Sequence, residues 1–299
     1  MPPIRKVRVF INPRSGLGRS FALAQEVLQK HWDVEGVDLT YQFSRSAEDG
    51  VAKVRRAVEE GVDTILAVGG DGMVNSIGGA LVGSDVAFGV LPTGSGNGFA
   101  RHFEIPLSVD RAAQELARGE RRTIDVATAN GRPFLITCSM AWDAAIVRSF
   151  EKSPVRGILP YVFAGAYELM GYVPQPFEVT VDDEEPVRWK DPLVFTVANL
   201  TQFGGGAIVA KDACPDDGLL ELVVLTQRDA PRLLGDLPLL LSGSPNEIPY
   251  VTTRKFSRLH VHREQPAPIQ VDGELVEGWA DVTVEVLPKA LTVLTPLPR

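Results

Sequence analysis

Cysteine is scarce in this chain of 299 residues, with Cys138 and Cys214 the whole complement. Two cysteines build no disulfide framework, and the usage reads as that of a reducing compartment. Basic charge is also short. Lys and Arg number 30 against 38 Asp and Glu, a formal net charge of −8. That balance excludes the basic footprint of a general nucleic-acid binder and strong whole-surface attraction to anionic lipid. No run of about 18 uncharged apolar residues occurs, so no transmembrane helix is expected. Residues 157–173, GILPYVFAGAYELMGYV, come nearest, but Pro160 and Glu168 interrupt them and they read as a buried or interfacial helix. The opening MPPIRKVRVFINP has no long apolar stretch, so no signal peptide is expected. The four histidines show no HExxH or Cys–His zinc spacing, and His260 with His262 reads as a surface pair on a strand. Neither a GxSxG elbow nor a Cys–His pairing suggests a covalent nucleophile.

Glycine, by contrast, is placed with purpose. AVGGDGMVNSIGGAL carries Gly69, Gly70, Asp71, Gly72 and Asn75; GVLPTGSGNGFARHF carries Gly94, Ser95, Gly96 and Asn97. Each string follows a short apolar run, residues 64–68 and 87–91, and each leads into a helix-compatible stretch. Glycine lets backbone N–H groups approach a ligand closely. A glycine turn opening a helix aims free N–H groups and a dipole at an anion. A third strand–loop–helix unit runs from KVRVFI through Asn12-Pro13-Arg14-Ser15-Gly16 into FALAQEVLQKHW. It fits neither the Walker A loop nor the dinucleotide GxGxxG fingerprint. Any one such loop equally suits an ordinary tight turn, and Asp71 equally suits a helix cap. Several together, with a carboxylate among the glycines, point to a polyphosphate bound with a metal ion.

Residues 1–125 alternate strands at 7–11, 37–43, 64–68 and 86–91 with helices at 21–32, 47–60, 73–82 and 108–118. Such alternation predicts an α/β domain with a parallel sheet. Ligands of these sheets bind at the carboxyl ends of strands, where all three glycine loops fall. Arg118, Arg121 and Arg122 read as solvated cations at a helix end. Beyond residue 125 strand-like runs dominate, at 134–139, 177–181, 193–199, 219–225, 259–262, 268–271 and 282–286. They predict a mostly antiparallel β domain over 126–288. The short seam near 125 predicts two domains hinged around a shared cleft.

In order and spacing, NPRSG, GGDGMVN, LPTGSGNGFAR, the DDGLL of residues 216–220 and the VDGE of residues 271–274 resemble the signature segments of the diacylglycerol kinase catalytic family, which includes bacterial soluble lipid kinases and the sphingosine and ceramide kinases. The resemblance implies a nucleotide-binding α/β domain followed by a β-sandwich, with a last strand near 289–299 returning to the first domain. It implies ATP and Mg²⁺ as cofactors and a lipid acceptor. The nucleotide set becomes Asn12, Pro13, Arg14, Ser15, Gly16, Ser44, Gly69, Gly70, Asp71, Gly72, Met73, Asn75, Gly94, Ser95, Gly96 and Asn97. Met73 stands where the family usually has Thr, and Gly98 where many bacterial members have Asp. The resemblance also implies a structural Mg²⁺ held by the Asp217 carboxylate and by backbone carbonyls at Cys214 and Leu219. A plain Asp-Gly turn explains that loop equally well.

Phosphoryl transfer needs charge neutralisation and a positioned acceptor hydroxyl. Asp71 suits a Mg²⁺ ligand because an ionised carboxylate only accepts. Asp272 and Glu274 share a face if their strand is regular, and the resemblance makes this pair the source of the general base, reaching across from the β domain. The residues do not say which of the two acts, and VDGE also reads as a hairpin turn. The expectation is an ATP-dependent lipid kinase, cytoplasmic and peripheral at the inner membrane face, with no nucleic-acid partner and a homodimer left open. An NAD kinase-like enzyme and a nonenzymatic nucleotide- or lipid-binding regulator are the alternatives.

Overall fold

β1 (Arg5–Ile11) shows how the N-terminal sheet is made. Val7, Val9, Phe10 and Ile11 are buried, and such branched or aromatic side chains suit a pleated, covered surface. The computed structural model describes residues 5–11, 19–145, 171–226 and 244–298, with 235–236, 239 and 242 besides. The chain continues as α1 (Arg19–Trp32), β2 (Val37–Phe43), α2 (Ala47–Glu59), β3 (Thr64–Gly69), α3 (Asp71–Leu81), β4 (Ala87–Pro92), α4 (Gly98–His102) and α5 (Val109–Ala117). The strands lie in the order β4-β3-β1-β2, all parallel. β3 and β4 are buried along their whole length, as strands covered on both faces must be. The helices pack in pairs, α1 on α5 and α2 on α3. Trp32 seals the first pair by donating its Nε1–H to the Ala113 carbonyl at 2.9 Å. Ser46 caps α2 by accepting the Asp49 N–H at 3.2 Å.

Two compact units result, Met1–Ile124 with Lys289–Arg299, and Asp125–Pro288. The chain crosses from one to the other within β5 (Glu120–Ala129) and again within β16 (Glu274–Thr295). The end of β16 joins the parallel sheet, with Val293 beside Phe88 of β4. Arg121 and Arg122 therefore lie in a strand rather than at a helix end, because the chain turns at Gly119 directly into β5. Arg121 donates to the Asp63 carbonyl at 3.2 Å.

The second unit adds β6 (Arg132–Phe134), β7 (Thr137–Ser139), β8 (Phe177–Val181), β9 (Val187–Trp189), β10 (Val194–Ala198), β11 (Gln202–Gly204), β12 (Ala207–Ile208), β13 (Leu220–Leu225), β14 (Val251–Phe256) and β15 (Arg258–Val271). It is a β-sandwich whose core gathers Phe134, Cys138, Phe177, Phe195, Leu222, Phe256, Val261 and Val284, among others. β15 pairs with β8 through Leu259–Arg263 and with β7 through Gln270 and Val271. Between those stretches its register against β16 slips, which is how a strand turns a sandwich corner. Arg263 holds the corner. Its fully buried guanidinium donates to the carbonyls of Met140 (3.3 Å), Ala267 (2.7 Å) and Trp279. No helix of the described residues is long and apolar enough to cross a membrane, and the segment 157–173 falls almost wholly outside them.

The returning strand sets a sharp steric test. A Cβ on Gly119 would overlap the Thr295 carbonyl oxygen. Gly119→Ala is expected to destabilise the first unit by about 1–3 kcal/mol, read as a lowered urea midpoint with an unchanged slope; an unshifted midpoint would show that the strand end yields freely.

Candidate active site

The two glycine strings meet. Gly70 lies so near Gly94 that a Cβ on Gly94 would come within 2.6 Å of the Gly70 Cα. Only glycine at position 94 permits the approach, and a Cβ on Gly70 would be tight, 3.0 Å from the Gly94 Cα. Thr93 N–H donates to the Gly69 carbonyl at 3.0 Å and fixes the level of one loop on the other. Gly70 is the N-cap of α3 in extended conformation. The helix expected from residue 73 begins at Asp71, so Asp71 and Gly72 are its first residues rather than loop. The leading N–H groups of a helix have no partners inside it, and its dipole makes that end electropositive. The Met73 side chain packs against Gly69, where an added Cβ would lie 2.7 Å from Sδ.

The second loop is shaped by Asn97. In left-handed conformation (φ 53°), it accepts the Gly94 N–H through Oδ1 at 3.0 Å and donates through Nδ2 to the Gly94 carbonyl at 2.8 Å. Arg101 Nε donates to the Gly96 carbonyl at 3.2 Å, leaving Ser95 exposed at the tip. Asp71 Oδ1 lies 3.5 Å from the Phe99 N–H, at the long limit for a hydrogen bond. Asn75 is buried on α3. Ser44 follows β2 and donates its N–H to the Ile11 carbonyl at 3.3 Å. Asn12, Pro13, Arg14, Ser15 and Gly16 lie outside the described residues. One residue of this neighbourhood escapes sequence reasoning. Thr93 has a buried hydroxyl with no hydrogen-bond partner among the described residues, and such a group invites a polar ligand.

In the second unit, Asp272 and Glu274 do not share a strand face. Asp272 (φ 47°) and Gly273 (φ 87°) are both left-handed and form the two-residue turn between β15 and β16, with Val271 opposite Glu274. The turn separates the two carboxylates. Asp272 is only 5 % exposed. Its oxygens accept the N–H groups of Leu135 (2.7 Å), Ile136 (2.8 Å) and Thr137 (2.9 Å), and its own N–H returns to the Thr137 carbonyl at 2.9 Å. Glu274, with its side chain 43 % exposed, pairs with Arg132 at 3.1 Å.

The Cys214–Leu219 loop is anchored by Asp125, another residue the sequence reading passes over. Asp125 interrupts an apolar stretch, Ile124 to Ala127, and that interruption is its one sequence signal. It accepts the Gly218 N–H at 2.7 Å and donates its N–H to the Pro215 carbonyl at 2.5 Å. Asp143 is likewise buried and was not anticipated. It accepts from Ala141 and Ala144 N–H groups and from the Thr196 hydroxyl at 2.5 Å, while burial pushes its carboxyl up. Asp217 accepts the Leu219 N–H at 3.0 Å and the Lys255 ammonium at 2.7 Å, and Cys214 Sγ donates to Asp216 at 3.0 Å.

Residues 6–129 match the model of the diacylglycerol kinase catalytic domain, and residues 137–295 that of the YegS C-terminal NAD kinase beta sandwich-like domain. The chain belongs to the diacylglycerol kinase catalytic family. A family member from Mycobacterium tuberculosis, named diacylglycerol kinase, is 29 % identical over 303 residues, covering 98 % of this chain and 96 % of the relative. A protein of Yersinia enterocolitica named "Probable lipid kinase YegS-like" is 30 % identical over 272 residues, covering 88 % of each. The crystal structure of a diacylglycerol kinase from Bacillus anthracis superimposes with a TM-score of 0.73 at 19 % identity, covering 98 % of this chain and 97 % of that one, a likeness of fold.

The bonds at Asp272 predict a cost that is structural. In Asp272→Asn an amide NH₂ would face a buried backbone N–H, so one donor is left unmet. The variant is expected to lose about 1–3 kcal/mol of stability, seen by thermal melting; a melt equal to that of the unaltered protein would show that the three contacts carry no weight.

Proposed function

We propose that this family member is an ATP- and Mg²⁺-dependent lipid kinase, transferring the γ-phosphoryl group to a hydroxyl of diacylglycerol or a related long-chain lipid. The observation that carries the reading is the Cα-level approach of Gly70 to Gly94 at the N-terminus of α3, with Asp71 at its first position. That arrangement suits a nucleotide. It offers backbone donors and a positive helix end for phosphate oxygens. Its carboxylate suits a hard divalent cation, and the Thr93 hydroxyl has no hydrogen-bond partner among the described residues. Bound Mg²⁺ would supply neutralisation of the charge that builds on the phosphate oxygens.

The roles of the two carboxylates of the VDGE turn divide by environment. Asp272 already accepts three backbone N–H groups and is closed in, so we assign it to positioning the hairpin. Glu274 is held at the surface by a flexible cation, and we assign it to taking the proton from the acceptor hydroxyl. A lipid acceptor implies work at a membrane surface. A bulk charge of −8 gives such contact no general electrostatic pull, so it would depend on local apolar residues. The name of the second matched model keeps NAD in view as an alternative acceptor.

Incubation with γ-labelled ATP, Mg²⁺ and a lipid panel, with NAD included, followed by chromatography, tests the reading. Label in a lipid supports it; label in NAD alone overturns it. Asp71→Ala is expected to remove turnover while the protein stays folded, since metal-based stabilisation accounts for several kcal/mol of barrier. Glu274→Gln is expected to lower kcat by about 10²–10⁴ with ATP affinity, measured by calorimetry, within a few-fold. Near-native turnover in either folded variant would remove that residue from its role.

A further inference from the structure

We propose that Lys255 is the resident cation of the Cys214–Leu219 loop, standing where the family resemblance places a structural divalent metal. Asp217 is the one carboxylate that resemblance assigns to the metal, and both its oxygens are engaged. Oδ1 accepts the Leu219 N–H at 3.0 Å and Oδ2 accepts the Lys255 ammonium at 2.7 Å. A Mg²⁺ ion binds oxygen at about 2.0–2.1 Å and demands near-octahedral space. On Oδ2 it would sit beside an ammonium, and the repulsion between the two cations disfavours both at one oxygen. The residues present do not fit the metal while Lys255 is there.

The ammonium is delivered by the fold. Lys255 lies on β14 directly opposite Glu221 of β13. Leu220, Leu222 and Val224 of β13 face the sandwich core, while Val223, on the opposite face with Glu221, packs with Ala198, Val209 and Ala210. Glu221 is only 4 % exposed, and its Oε2 has no hydrogen-bond partner among the described residues. Lys255 thus donates to the exposed Asp217 and stands across the ladder from the buried Glu221. Without Lys255, Asp217 Oδ2 is vacated, the oxygen of the one carboxylate that the resemblance assigns to a divalent ion.

The inference does not depend on the kinase reading, and its test uses no activity. Thermal melts are recorded without nucleotide, in chelator and in Mg²⁺, for the unaltered protein, Asp217→Asn, Lys255→Met, Lys255→Arg and Lys255→Met/Asp217→Asn. The unaltered protein and Lys255→Arg are expected to melt at the same temperature in both media. Lys255→Met is expected to melt lower in chelator and to recover by about 2–4 °C in Mg²⁺, and the double variant to lose that recovery. A fall in Tm of the unaltered protein on chelation, abolished by Asp217→Asn, would overturn the proposal. So would a Lys255→Met protein indifferent to Mg²⁺. If Lys255→Met fails to fold in either medium, the chelator comparison on the unaltered protein decides alone.

Discussion

Three backbone N–H groups converging on the buried Asp272 carboxylate are the contact on which the β15–β16 hairpin of the second unit depends. They tie the β15–β16 turn to residues 135–137, from which β7 starts. With that tie in place, the tight Asp-Gly turn has one orientation, and Glu274 emerges from it beside Arg132. The structure thus gives the two carboxylates of one turn opposite settings: Asp272 is immobilised, and Glu274 is left half exposed.

The first unit brings two loops together with backbone alone, since side chains obstruct close packing of two loops. Gly70 and Gly94 remove the obstruction. Asn97 then stiffens the second loop with a reciprocal pair of hydrogen bonds to Gly94, and α3 supplies the oriented peptide dipoles. Asn97, which sequence reasoning counted as a nucleotide contact, spends two of its polar contacts on the loop itself.

The α/β and β-sandwich classes were legible because they rest on local signals. The strand over 37–43 and the helices near 21–32 and 47–60 agree with β2, α1 and α2 within two residues, since apolar periodicity and the Ser46 cap are written nearby in the chain. β14, with its polar VTTRKF sequence, carries no apolar run and was invisible until paired with β13. β5 opens on Glu-Arg-Arg and reads as a helix tail. The Asp272 contacts span more than 130 residues of chain, and the partnership of Lys255 with Asp217 joins residues 38 apart. No spacing rule reaches so far. The expectation that Asp272 and Glu274 share a face failed for a nearer reason, the two left-handed residues that turn the strand.

β16 belongs to both units, with residues up to 288 in the second and those from 289 in the first. In topological terms the sandwich is an insertion into the α/β unit, interrupting it between Ile124 and Lys289. During synthesis the inserted sandwich therefore emerges complete before its host does. β4 waits with an open edge until Val293 arrives beside Phe88, and an uncovered parallel edge is a site for mispairing. The α/β unit cannot be obtained by simply ending the chain after residue 124. It needs its closing strand brought back, by a short linker across the gap or by permuting the order of the chain.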